Sequence, residues 1–146
     1  MEASDDVKHK YQSLDWDVPI DDESAISPQY LLAFPYEYPG SEIEIVIDTD
    51  EFTAVCPWTG LPDLGTLLIK YVPNELCVEL KSLKYYLLSY RNVGIMQEHA
   101  ANRILKDLSQ VCSPKTMTLN LDYKPRGGIH TSVSVEFGRP KTLDNE

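Results

Sequence analysis

Apolar residues along this chain recur in two rhythms, one of period two and one of three to four, and their order outlines a domain. After the turn-forming Pro35, Pro39 and Gly40, the run Glu42–Asp48 sets Ile43, Ile45 and Ile47 against Glu44, Val46 and Asp48. β-Branched residues at alternate positions predict a half-buried strand. Thr66–Val72 predicts a second strand, ended by Pro73 and Asn74. From Val78 to Arg91 the spacing turns helical, with Leu80, Leu83, Leu87 and Tyr90 along one face until Gly94 interrupts it. A second helix is predicted over Gln97–Cys112, carrying Ala101, Ile104, Leu105, Leu108 and Val111 on one face and stopped by Ser113 and Pro114. Thr116–Tyr123 and Ile129–Phe137 return to period two on either side of the turn Pro125-Arg126-Gly127-Gly128.

Strand, strand, helix, helix, strand, strand is an α+β order. Short connections imply an antiparallel four-stranded sheet, and the paired helices are expected to cover one of its faces. Such a sheet has two open edges. Joining sister sheets into a barrel would remove them, so a homo-oligomer is expected. The folded domain is expected over residues 30–138. The flanks differ: residues 1–29 are polar and acidic, with Pro19 and Pro28 and little apolar period, and read as a flexible arm, docked at most through Trp16 or Tyr30. Residues 139–146 read as a flexible tail.

Charge narrows the function. The 146 residues carry a formal net charge of −10, which argues against a nucleic-acid partner, since phosphate backbones need a basic face. A phosphate-bearing cofactor needs only a local cluster of cations. No apolar run approaches the ~20 residues of a membrane span, and the N-terminus lacks the basic-then-apolar order of a signal peptide. Three cysteines, Cys56, Cys77 and Cys112, without CxxC spacing, fit a reducing compartment, so a cytoplasmic location is expected.

Four places offer chemistry. Cys56-Pro57-Trp58-Thr59-Gly60-Leu61-Pro62-Asp63 is a stiff loop between two strands that could bring a thiol and a carboxyl together across a turn. By spacing alone, a buried structural cysteine is the plainer reading of the thiol. In Glu79-Leu80-Lys81-Ser82-Leu83-Lys84-Tyr85-Tyr86, Lys81 and Lys84 share a helix face and make a local positive site; a solvated face is the plainer reading. Arg126-Gly127-Gly128 joins a forked cation to permissive backbone, or is simply a hairpin turn. Glu98, near a helix start, either interacts with the helix dipole or faces a pocket, where it could accept the N–H edge of a guanine-like base.

Taken together, in this order and spacing, these pieces resemble the 7-cyano-7-deazaguanine reductases of queuosine biosynthesis, over about residues 31–137. The octapeptide Glu79–Tyr86 matches that family's nicotinamide-cofactor signature, and the Cys56–Asp63 loop its nucleophile and proton-donor loop. The resemblance implies the tunnelling fold in its single-domain form, with sites at subunit interfaces, and NADPH as cofactor. It further implies Cys56 as nucleophile forming a thioimide, Asp63 as proton donor, and Glu98 and Glu79 as contacts to the substrate 7-cyano-7-deazaguanine. Lys81, Ser82, Lys84, Arg126 and Gly127 would serve the cofactor. The sequence departs from the family at Gln97, where the family usually has His, and at Ala100, in a region where single-domain members can carry a cysteine; no disulfide to Cys56 is therefore expected. Three other readings are an amidine-forming relative acting on nitrile-bearing tRNA, a zinc hydrolase of the same fold, and a non-catalytic purine binder. Zinc lacks support, because His9, His99 and His130 form no ligand pattern and no metal site is expected.

Overall fold

The computed structural model describes residues 2–14 and 19–138. Its main sheet has four antiparallel strands, β2 (Ile45–Val55), β3 (Pro62–Val72), β5 (Thr116–Tyr123) and β6 (Ser132–Phe137), in the order β2-β3-β5-β6. Two helices, α2 (Leu80–Leu88) and α3 (Gln97–Cys112), connect β3 to β5. The expected α+β order is therefore present. Two three-residue strands, β1 (Ala33–Pro35) and β4 (Leu76–Val78), pair with each other in a second small sheet. The acidic N-terminus contains a helix, α1 (Glu2–Gln12).

Alternation decides which face is core. On β3, Leu67, Ile69 and Tyr71 are buried while Thr66 and Lys70 are exposed; on β5, Met117, Leu119, Leu121 and Tyr123 are buried while Thr118 and Asp122 are exposed. Against that apolar face pack Ala101, Ile104, Leu105 and Leu108 of α3 and Leu83 and Tyr86 of α2. Burying each of the leucines and isoleucines among these is worth roughly 1.5–3 kcal/mol. The helix face also holds a polar group: Tyr86 Oη donates to Asp107 Oδ2 at 2.7 Å, stands 2.8 Å from Tyr90 Oη, and Arg103 Nε closes on the same carboxylate at 2.9 Å. This set ties the two helices together, and burial pushes the Tyr90 phenol above its usual range.

Several expectations need correction. Leu80 is 60% exposed, because Glu79 caps α2 and Leu80 is only its first residue. Tyr90 is buried but lies past the helix end. β2 starts later and runs further than the alternating isoleucines suggest, through a register shift between Thr49 and Phe52. Residues 19–29, expected within a flexible arm, lie on the domain. Asp21 N donates to Asn92 O, Gly94 N donates to Asp21 O, and Ile26 is buried in the core at 4% exposure. Acidic composition hid this strap because backbone bonds and one apolar anchor hold it. Trp16 and the expected tail 139–146 lie outside the described residues.

Candidate active site

β2 and β3 are paired at Ala54↔Asp63 and Val55↔Pro62, so Cys56 and Asp63 emerge at one end of the same hairpin. Continuing each strand's alternation, Phe52, Ala54 and Cys56 on one side and Asp63, Gly65 and Leu67 on the other all fall on the helix-covered face. A thiol and a carboxyl thus take positions that elsewhere on these strands hold core residues; they are 6% and 4% exposed. The loop between them is closed tightly. Cys56 N donates to Leu61 O at 2.9 Å, Gly60 N donates to Cys56 O at 2.8 Å, and Gly60 takes φ 69°. That left-handed turn favours glycine.

Closure aims donors at the sulfur. Burial pulls the Cys56 thiol up, but the Thr59 hydroxyl, the Thr59 and Trp58 amides and the Arg126 guanidinium all favour the thiolate and bring it down to about 7. Lowering the thiol toward neutrality favours the thiolate, the nucleophilic form of cysteine. Asp63 is pushed the other way. Burial raises its pKa, while Arg126 and a hydrogen bond from Gln97 partly oppose the rise. A buried carboxyl that keeps its proton to higher pH suits a general acid.

The remaining wall comes from the segment entering α3. Cys56, Asp63, Gln97, Glu98 and Arg126 line one cavity of about 170 Å³, together with Pro57, Trp58, Ile95 and Met96. Gln97 Nε2 donates to Asp63 Oδ1 at 3.3 Å, and the Gln97 carbonyl accepts from Tyr123 Oη at 3.1 Å. Glu98, in the first turn of α3, is exposed and borders the opening. Trp58 is 81% exposed beside it, an aromatic face at the mouth. The hairpin after β5 supplies Arg126: its N–H and C=O both pair with Ile129 at 3.0 Å, while Gly127 and Gly128 take φ 57° and 78°. Two consecutive positive φ angles are what a two-residue hairpin turn requires. Gly127 therefore serves the turn, and Arg126 reaches back so that Nη1 lies 2.9 Å from Asp63 Oδ1.

The other candidates gather elsewhere. Glu79 caps α2, accepting from Lys81 N at 2.9 Å and Ser82 N at 2.7 Å, which holds its carboxyl below the usual range. Ser82 is buried; its hydroxyl accepts from Leu32 N at 2.9 Å and donates to Glu79 O at 2.7 Å. Lys81 and Lys84 are exposed, and Lys84 borders a groove of about 280 Å³ between β2 and α2 together with Arg91, Leu80, Leu83 and Leu87. Within one chain, none of Glu79, Lys81, Ser82 or Lys84 lines the Cys56 cavity. Sequence reasoning missed Thr59 as a thiolate donor; its one visible signal was a hydroxyl three residues after the cysteine in a turn. Within this chain the guanidinium of Arg126, expected among the cofactor residues, lies against Asp63.

No helix among the described residues is long and apolar enough to cross a membrane, and no cluster of three or more His, Cys, Asp or Glu residues there is arranged to hold a metal. A model of the family described as QueF-like protein matches residues 62–142. The NADPH-dependent 7-cyano-7-deazaguanine reductase of Caldicellulosiruptor bescii is 51% identical over 131 residues, covering 90% of this chain and 98% of its own. The reductase of the same name from Thermoanaerobacter pseudethanolicus is 50% identical over 116 residues, covering 80% and 87%. That of Chloroherpeton thalassium is 48% identical over 116 residues, covering 80% and 100%. Among solved structures, an archaeosine synthase QueF-Like in the apo form aligns with a TM-score of 0.60 at 20% identity, over 68% of this chain and 96% of that one. At that identity the likeness is one of fold.

Proposed function

The chain belongs to the QueF-like protein family, and from that premise we propose that it catalyses the NADPH-dependent reduction of 7-cyano-7-deazaguanine to 7-aminomethyl-7-deazaguanine. One observation carries the reading: a thiol brought down to about 7 shares a small cavity with a buried carboxyl whose pKa burial raises. A nitrile carbon is electrophilic but resists direct reduction, and covalent capture divides the task. The Cys56 sulfur bonds to the nitrile carbon, one π pair moves to nitrogen, and nitrogen takes the Asp63 proton, leaving a thioimide and a carboxylate. Once that carbon is reduced, the carbon–sulfur bond breaks and the pair returns to Cys56 as thiolate. Glu98 at the opening accepts from the N–H edge of the deazaguanine ring, and Trp58 offers it an apolar face.

Nitrile to amine requires four electrons, and NADPH, when bound, supplies them as two successive hydrides. The exposed Lys81 and Lys84, with Arg91 and the apolar wall of the adjacent groove, fit its phosphates and a flat ring. These cations lie away from the Cys56 cavity of their own chain, which supports a homo-oligomer in which one subunit's α2 serves a neighbour's thiol. The open edges of β2 and β6 are suited to that assembly, because an unpaired strand edge favours pairing with another. A monomer by light scattering would overturn the shared site.

The direct test mixes the protein with 7-cyano-7-deazaguanine, without cofactor, and reads intact mass. A gain of one substrate mass, absent from Cys56→Ala and discharged by NADPH to the amine, is expected. No gain in the wild-type protein overturns the reading. A gain that NADPH leaves untouched but ammonia discharges reassigns the chain to amidine formation.

A further inference from the structure

Asp63 is held asymmetrically. Its two protein contacts, Gln97 Nε2 at 3.3 Å and Arg126 Nη1 at 2.9 Å, both fall on Oδ1. No donor among the described residues reaches Oδ2, and Asp63 borders the Cys56 cavity. A guanidinium can only donate, and the Gln97 amide presents its –NH2 group to the same oxygen. An oxygen that accepts from one N–H group and lies 2.9 Å from a guanidinium nitrogen is a poor place for a proton. We propose that Gln97 is a positioning residue for Asp63: with Arg126 it keeps Oδ1 an acceptor, so that the transferable proton resides on Oδ2, the oxygen left for the substrate.

Gln97 is itself well placed to do this. Its backbone carbonyl accepts from the hydroxyl of Tyr123, a side chain 2% exposed at the end of β5, and the residue opens α3. The backbone from which the Gln97 amide reaches Asp63 is therefore fixed from the sheet and from the helix. An amide does not titrate in the working pH range, so the clamp keeps its donor whatever the protonation state around it. The inference rests on the reductase reading, in which nitrile nitrogen takes the Asp63 proton as the Cys56 sulfur bonds to carbon; no atom or electron beyond that step is required.

The test compares the rate of adduct formation with 7-cyano-7-deazaguanine against pH for wild type, Gln97→Leu and Gln97→His. Alkylation of Cys56 by iodoacetamide serves as the control for an intact loop. Gln97→Leu is expected to slow adduct formation by about tenfold or more. The limb of its profile that reports Asp63 moves to higher pH, because the Gln97 bond is one of the contacts lowering that pKa, while alkylation follows the wild-type curve. Gln97→His, which can still donate, recovers most of the rate and adds an ionisation to the profile. Adduct formation in Gln97→Leu with an unmoved Asp63 limb, whether or not the rate falls, overturns the inference and leaves the reductase standing. Absence of any adduct in the wild-type protein overturns both.

Discussion

Arg126 Nη1 lies 2.9 Å from Asp63 Oδ1, so the cation carried by the β5–β6 hairpin is committed to the buried carboxyl at the end of the β2–β3 hairpin. The same guanidinium also favours the Cys56 thiolate. One exposed side chain thereby couples the two reacting groups, lowering the pKa of each against the rise imposed by burial.

The ordering of those influences is testable. Among the groups that stabilise the Cys56 thiolate, the Thr59 hydroxyl outweighs Arg126. Iodoacetamide alkylation of Cys56, followed against pH, is expected to show a midpoint near 7 in the wild-type protein. Thr59→Val removes the hydroxyl donor and moves the midpoint to higher pH. Arg126→Gln moves it in the same direction by less. A larger effect from Arg126→Gln would mean that charge, rather than the closed turn, sets the thiolate.

Parts of this arrangement are legible in the sequence. α3 and β5 were predicted with the bounds they have, because both show an unbroken apolar period, and Ser113 in the left-handed conformation followed by Pro114 gives a sharp stop. β1 and β4 could not be read, since three residues carry no period. The acidic stretch Asp48–Glu51 concealed the continuation of β2, because its turn of register at Thr49/Phe52 breaks the alternation. Cys56 and Asp63 were visible as neighbours on one loop, whereas the convergence of Gln97 and Arg126 on Asp63 depends on how α3 and the last hairpin meet over the sheet, and no local spacing encodes that.

The two roles assigned to α2 separate in kinetics. If Lys81 and Lys84 hold cofactor phosphates, Lys81→Ala with Lys84→Ala raises the KM for NADPH by about tenfold, with a smaller change in kcat, and makes that KM less sensitive to salt. Glu79→Ala acts on the helix instead. It removes the acceptor for the Lys81 and Ser82 amides, so the urea midpoint falls. The folded Glu79 carboxyl has a lowered pKa; its contribution is present above the unfolded pKa and is lost as pH falls through the folded one. The difference between wild type and Glu79→Ala should therefore shrink in acid. A difference independent of pH would show that the cap is not acting as a carboxylate.

Tyr86 is the hub of the polar set between α2 and α3. Tyr86→Phe leaves the ring in place but removes the hydroxyl that donates to Asp107 and meets Tyr90. Asp107, 6% exposed, then keeps only Arg103 among its described partners. Losing a donor to a buried carboxylate costs about 1–3 kcal/mol. Urea denaturation should show a lowered midpoint with an unchanged slope, and adduct formation at Cys56 should be unaffected in the folded protein. An unchanged midpoint would mean that Tyr90 or water replaces the lost bond.

Gly94 joins the N-terminal strap to the reactive loop. A Cβ built there would lie 2.5 Å from Ile20 Cγ2 and 3.2 Å from the Pro57 Cα. The Ile20 side chain can swing aside, but the Pro57 backbone belongs to the turn that carries Cys56. On either side of Gly94, Asp21 N donates to Asn92 O, Gly94 N to Asp21 O, and Val55 and Val93 are joined by Val55 N to Val93 O. Strap, connecting segment and β2 thus form one hydrogen-bonded run that ends at the nucleophile. Gly94→Ala is expected to cost about 1 kcal/mol or more through overpacking. Hydrogen exchange should show the Asp21 and Gly94 amides losing protection before the core of β3 and β5 does. If the strap positions the loop, Gly94→Ala also raises the alkylation midpoint of Cys56, because the Trp58 and Thr59 amides no longer close on the sulfur. Loss of strap protection with an unmoved midpoint would show that the turn holds its own geometry through the Cys56–Leu61 and Gly60–Cys56 bonds, and that the strap only covers it.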